Sequence, residues 1–83
     1  MAYFVYVIGN YKHKKLITYV GYTNNLKKRL NLHNSGKGAK FTKGRSWKLI
    51  YYEKYHTRKE ALLREFYIKK NRILRNTIKK KYK

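Results

Sequence analysis

Phe4-Val5-Tyr6-Val7-Ile8 is an unbroken apolar run of β-forming residues, and its reading decides the fold. A run with no polar alternation is a strand buried on both faces, hence a central one. Gly9-Asn10 is expected to end it, and Lys12 to Lys15 to form a basic loop. Leu16 to Tyr22 reads as a second strand, antiparallel to the first because the connection is too short for a crossover helix. Trp47 to Glu53 reads as a third, with Leu49 and Tyr51 facing opposite to Ile50 and Tyr52.

Between the second and third strands lies a helical pattern. Thr23 or Asn24 is expected to cap it. Leu26 and Leu30 are one turn apart and make an apolar stripe, with Arg29 and His33 on its flank. Asn34-Ser35-Gly36 stops the helix, and a Gly/Lys loop runs to Arg45. Thr57 and Glu60 fit a capping box opening a second helix, which is expected to carry Ala61, Leu62, Glu65, Phe66 and Lys69 on one face. Asn71 interrupts it. Ile73, Leu74 and Ile78 mark a short last helix, and Lys79 to Lys83 is expected to fray. The fold class expected is a small α/β (α+β) domain: a three-stranded, mostly antiparallel sheet flanked by helices. It forms a single domain over 1–83 with a basic C-terminal tail from about residue 70.

The chain has 83 residues, room for one domain. A domain this small buries about 60% of its unfolded surface, so its core is thin. Cysteine is absent, which excludes disulfides and thiolate metal sites. No apolar run is long enough to span a membrane, and Met1 to Asn10 lacks the features of a secretory leader, so the expected setting is cytoplasmic. Charge is the loudest signal: 23 Lys and Arg against 3 acidic residues give a formal net charge of +20, with aromatics at 17% interleaved among the cations. That mix attracts polyanions and suits phosphate contacts with base or sugar stacking, so nucleic acid is the expected partner rather than a membrane. Oligomeric state is expected to be a monomer or weak homodimer.

The three acids are Glu53, Glu60 and Glu65. Glu60 is explained as a cap and Glu53 as a solvated strand end. Glu65 falls among apolar positions of its helix, where a carboxylate is costly unless paired or bound to a cation. Its bland explanation is an ion pair with one of many Lys or Arg. Otherwise it is the one credible ligand for a hard cation, and Mg²⁺ accepts few carboxylates, keeping waters and substrate oxygens. Arg29 stays charged and can grip a phosphate bidentately; alone in a Lys-rich chain it would be a solvated group, and Lys28 is its alternative. Tyr6 and Tyr19 fall on neighbouring strands, so both phenols can enter one pocket, and a cation beside them favours the phenolate of a general base. His33 can donate to a phosphate, orient a tyrosine or move a proton; its bland role is at the helix dipole. Gly21 permits close backbone approach, while Tyr22 and Thr23 are supporting candidates. Lys37, Lys40, Lys43 and Arg45 are candidate nucleic-acid contacts in a loop that does not match G-x-x-x-x-G-K-[ST]. His13 and His56 receive no role.

The order Tyr6, Tyr19-Val20-Gly21, Arg29, His33, Glu65 resembles the GIY-YIG nuclease superfamily, in particular its small stand-alone (UPF0213/URI-like) branch, from about Tyr3 to Ile68. The first motif here is Val5-Tyr6-Val7 rather than Gly-Ile-Tyr, a departure familiar in that branch, which also shows a Ser-Gly-Lys-Gly-Ala-Lys stretch like Ser35 to Lys40. The resemblance implies a metal-dependent endonuclease. Glu65 would bind one Mg²⁺ or Mn²⁺, Arg29 would be the catalytic arginine, and both motif tyrosines would enter the active site. DNA is favoured over RNA as substrate, in a setting such as DNA repair. The competing expectation is a basic DNA- or RNA-binding module without catalysis.

Overall fold

A computed structural model describes residues 2–82, apart from the Tyr82 side chain; Lys83, the end of the expected basic tail, lies outside the described residues. The elements are β1 (Tyr3–Lys12), β2 (Lys15–Thr23), α1 (Leu26–Asn34), a 3₁₀ turn (Lys40–Thr42), β3 (Lys48–Tyr55), α2 (Arg58–Lys70) and α3 (Arg72–Tyr82). The strand order is β2-β1-β3, with both pairings antiparallel. The expected α+β class and the central placement of Phe4 to Ile8 both hold.

Each face of β1 feeds its own core. Val5 and Val7, with Val20, pack under Ala61, Ile68 and Ile78 from α2 and α3. Tyr6 and Ile8, with Trp47, pack under Leu26 and Leu30 of α1 together with Tyr19 and Leu49. A fully buried aliphatic such as Ile68 contributes about 1.5–3 kcal/mol, so a few residues per face carry the domain.

Several boundaries differ from expectation. Gly9-Asn10 does not end β1: pairing continues to Lys12↔Lys15, and the basic loop reduces to a two-residue turn. His13 and Lys14 both take positive φ, 53° and 64°, the pattern of a hairpin turn whose twist matches the flanking strands. The cap of α1 is Asn25 rather than Thr23 or Asn24, its side chain accepting from Lys28 N–H at 3.1 Å. Thr23 supports from behind, its hydroxyl accepting from Asn25 N–H at 3.1 Å. In β3 the register jumps between Val7↔Tyr51 and Ile8↔Leu49, a bulge at Ile50. Strict alternation therefore fails: Ile50 and Tyr51 both join the α2-side core, while Leu49 joins the other.

Helix α2 opens on the expected capping box: Thr57 Oγ1 accepts from Glu60 N–H, and Glu60 Oε1 accepts from Thr57 N–H, each at 3.2 Å. Its buried stripe is Ala61 and Ile68, flanked by the half-buried Arg64 and Glu65; Leu62 and Phe66, expected on that stripe, are exposed. Asn71 interrupts as expected. Its N–H closes α2 onto Tyr67 and Ile68 carbonyls, and its Oδ1 accepts from Leu74 N–H at 2.9 Å to open α3. The residues expected to fray, Lys79 to Lys81, are helical in α3, held by Leu74 and Ile78 in the core.

Candidate active site

Helix α1 lies on the sheet face that carries Tyr6, and α1 sets two side chains against that phenol. The hydroxyl of Thr42 donates to the Ala39 carbonyl at 2.9 Å, so its oxygen accepts His33 Nδ1–H at 2.8 Å. That leaves His33 Nε2 as an acceptor for the Tyr6 O–H, at 2.7 Å. The phenol oxygen in turn accepts Arg29 Nε–H at 3.3 Å. One directional line of hydrogen bonds thus runs from Arg29 through Tyr6 and His33 to Thr42 and the Ala39 carbonyl. Tyr6, His33 and Thr42 are buried, and Arg29 is half-buried at the outer end.

The surroundings bias both titratable members. Burial pushes the Tyr6 phenol above its usual value, against the opposing hydrogen bond and charge of Arg29; Tyr19 and Glu65 add smaller upward pushes. Burial, with the Arg29 charge behind it, lowers His33 below the ordinary histidine value. At neutral pH the pair rests as phenol and neutral imidazole, the protonation states that the hydrogen-bond line requires.

Two glycines make room for this pair. Gly21 is the cross-strand partner of Tyr6, and the Tyr6 ring lies against its Cα, so that a Cβ there would come within 2.6 Å of Cζ. The expected close approach at Gly21 is thereby explained. Gly38 does the same for His33: a Cβ would reach 2.8 Å from Cε1. The loop expected to serve only phosphates therefore also walls the site. Gly38 covers the imidazole, Thr42 orients it, and Trp47 Nε1–H donates to the Thr42 carbonyl at 2.9 Å. Asn34 pins the loop's far end, donating to the Trp47 carbonyl at 3.0 Å and accepting Trp47 N–H at 2.6 Å. None of Gly38, Thr42, Asn34 and Trp47 is singled out by the sequence. The signal for them is the apolar Ala39 and Phe41 inside a basic loop.

Tyr19 stands beside the imidazole, ring centroids 5.2 Å apart, and stacks at 6.1 Å on the half-exposed Phe41. The Lys69 ammonium lies over its other neighbourhood, 5.9 Å from the ring centre. Lys37, Lys40 and Lys43 are exposed on the loop; Arg45 lies 5.6 Å over the Phe41 ring. Glu65 comes from α2, its side chain 17% exposed and Lys69 Nζ 3.8 Å away. Its charge is felt at the Tyr6 phenol. Among the described residues no group of three His, Cys, Asp or Glu side chains converges. A protein-caged metal such as structural zinc does not fit this donor set. A hard cation that takes one carboxylate and completes its shell with water and substrate oxygens does fit.

Glu53 corrects the sequence picture most. It is no solvated strand end: Arg64 binds it through two bonds, Nε at 2.8 Å and Nη2 at 3.0 Å, while Tyr51 and Tyr55 hydroxyls donate to its two oxygens. Burial alone would raise the carboxyl. The bonds from Arg64, Tyr51 and Tyr55 and the Arg64 charge outweigh it and hold the pKa at about 2. This cluster sits on the α2 side of the sheet.

The comparisons with known proteins identify the family. The model of the GIY-YIG catalytic domain matches residues 2–82. The UPF0213 protein CPE1444 of Clostridium perfringens is 48% identical over 68 residues, 81% of this chain and 70% of its own length. The UPF0213 protein YazA of Bacillus subtilis is 48% identical over 69 residues, 82% of this chain and 67% of its own. A Bacillus licheniformis UPF0213 protein is 55% identical over 53 residues, but only 55% of that relative is spanned. No solved structure matches. No helix among the described residues is long and apolar enough to cross a membrane. With its central Tyr6, its Tyr19-Val20-Gly21 strand and the helix bearing Arg29 and His33 covered by that match, the chain belongs to the GIY-YIG nuclease family and is akin to its UPF0213 proteins.

Proposed function

We propose that this protein is an endonuclease that hydrolyses phosphodiester bonds, in DNA rather than RNA, with one Mg²⁺ or Mn²⁺. The observation that carries the proposal is the hydrogen-bonded line Arg29–Tyr6–His33–Thr42, in which a buried phenol lies 2.7 Å from an imidazole nitrogen.

The chemistry follows from that line. Tyr6 withdraws a proton from the attacking water as its own proton passes to His33 Nε2, and the phenolate character is sheltered by the Arg29 guanidinium. His33 becomes an imidazolium whose Nδ1–H still donates to Thr42, so the ring does not have to turn. Arg29 stabilises the charge that grows on the pentacovalent phosphate. Tyr19, beside the imidazole, keeps water from its flank. Glu65 would hold the divalent metal, which when bound supplies Lewis-acid stabilisation of phosphate and leaving-group oxygens. Lys37, Lys40, Lys43 and Arg45 would hold the strand on either side of the site. A charge of +20 opposes self-association, which supports a monomer acting among intracellular nucleic acid.

Cleavage of plasmid, single-stranded, hairpin and branched DNA and of structured RNA, with Mg²⁺ or Mn²⁺, tests the proposal against Glu65→Ala. The expected result is metal-dependent cutting, lost by about a thousandfold or more in the variant, with binding retained. Tight, steeply salt-dependent binding with no cutting by either protein on any substrate would leave a binding module on the same fold.

A further inference from the structure

A polar cavity opens at the end of the sheet where β2 hands over to α1. It is lined by Tyr3, Tyr22, Thr23, Asn24, Arg29 and Arg58. Arg29 enters from α1, where its Nε is committed to the Tyr6 phenol. Arg58 enters from the first position of α2. Its Nε donates to the Tyr22 hydroxyl at 3.2 Å, and its guanidinium lies 5.9 Å over the Tyr22 ring. Two guanidiniums are therefore aimed, by two different tyrosines, at one cavity.

Among the described residues neither forms an ion pair. Of the three carboxylates, Glu53 is taken by Arg64, Glu60 closes the cap on Thr57, and Glu65 lies nearest Lys69. Two like charges facing one polar cavity repel, and the cavity becomes favourable when an anion enters it. The anion must come from outside the chain. Arg58 is exposed and its pose is fixed by one Nε contact, which leaves both terminal amino groups of the fork for a planar, bidentate acceptor.

We infer that Arg58, held by Tyr22, forms a second phosphate subsite, which grips an internucleotide phosphate neighbouring the one at Arg29. The inference rests on the proposed phosphate at Arg29. Arg58 sets the direction in which the strand leaves the catalytic line, and it acts in binding rather than in the bond-breaking step. Its partner Tyr22 immediately follows Gly21, so the same β2 segment seats Tyr6 on one side and aims Arg58 on the other.

The test is oligonucleotide binding across a salt series, in a Glu65→Gln background so that nothing is cut. Arg58→Gln is expected to weaken binding about tenfold at low salt and to lower the log–log salt slope by about 0.7 to 0.9, one phosphate contact. Arg58→Lys should restore the slope. Lys12→Gln, which removes a charge at the distal hairpin, should leave it unchanged. Tyr22→Phe should weaken binding at an unchanged slope, because the charge stays and only its aim is lost. An equal slope for Arg58→Gln and Lys12→Gln overturns the subsite. A response of Tyr22 and Arg58 resonances to inorganic phosphate, with no slope change on oligonucleotide, also overturns it in favour of a free-anion site. Cleavage by the native protein is scored separately: loss of slope without any cutting keeps the subsite and removes the nuclease proposal.

Discussion

The two faces of the sheet carry the same parts in different company. On the α1 side stand tyrosines, an arginine and a histidine; on the α2 side stand tyrosines, an arginine and a carboxylate. Arg64 meets Glu53 in a two-bond clasp, with Tyr51 and Tyr55 filling the remaining acceptor sites. The charges there cancel and the donors are spent, so the cluster can only hold β3 to α2. On the other face Arg29 meets a neutral phenol at 3.3 Å and keeps its charge. The carboxylate whose charge reaches that phenol, Glu65, is half-buried and, among the described residues, is paired with Lys69 rather than Arg29. Arg64 and Glu65 are neighbours on α2 and flank its buried Ala61–Ile68 stripe, yet Arg64 is paired to Glu53 while Glu65 has only Lys69 at 3.8 Å. A satisfied network is structural, whereas an unsatisfied one is prepared for something that is not protein.

Exchanging roles across that divide should show it. The largest effect is expected from Tyr6→Phe: cleavage should fall by a factor on the order of 10² to 10⁴, with a stability cost of about 1 to 2 kcal/mol for the buried His33 Nε2 left unpaired, while the ring still fills its place beside Gly21. Activity should also fall with acid. His33 must be neutral to receive the Tyr6 proton, and its value is lowered, so the acid limb of the rate should lie below pH 6.5. A limb at or above that value would mean that His33 does not accept the proton.

Next in size is Glu53→Gln. Its folded pKa of about 2 against an ordinary 4.5 corresponds to about 3 kcal/mol of stability. The sign follows from the depression: this stability is fully present above about pH 4.5 and is lost as pH falls toward 2. The variant should lose most of it at neutral pH, dropping the melting temperature by about 10 to 20 °C, while the folded fraction cuts at the native rate. A large loss of rate in folded Glu53→Gln would erase the distinction between the faces.

What was legible in the sequence divides along the same line. Phe4 to Ile8 announced a central strand because burial on both faces leaves a continuous apolar run, and Thr57 with Glu60 announced a helix start because a capping box is local. Leu26, Leu30, Arg29 and His33 fell on their faces because helical spacing alone decides that. Glu53 reads as a solvated strand end because its arginine partner lies on another element, eleven residues on, and the strand alone carries no sign of it. The bulge at Ile50 has no compositional mark in the sequence, and it separates Leu49 from the face that Tyr51 and Glu53 share. Gly9-Asn10 looked like a break because both residues are turn formers, but pairing with Ile17 and Thr18 overrides that preference.

Thr42 sharpens the comparison at its finest grain, with the smallest effect of the set. In a Lys-rich loop it carries no distinguishing mark, yet it is fully buried and its hydroxyl, which donates to the Ala39 carbonyl, meets His33 Nδ1 at 2.8 Å. Thr42→Val keeps the shape and removes the acceptor. His33 Nδ1 would then lose its partner, and nothing would favour the tautomer whose Nε2 accepts from Tyr6. The expected outcome is a cleavage rate down about tenfold and a stability cost of about 1 to 2 kcal/mol for the unpaired buried Nδ1–H. Imidazole nitrogen chemical shifts separate this from simple loosening of the loop. If Thr42 sets the tautomer, the native protein shows a protonated Nδ1 and the variant a mixture, whereas Thr42→Ser restores the native pattern. A native His33 protonated on Nε2 would reverse the direction of the whole hydrogen-bond line, and Tyr6 would then accept from His33 and have no route for its own proton.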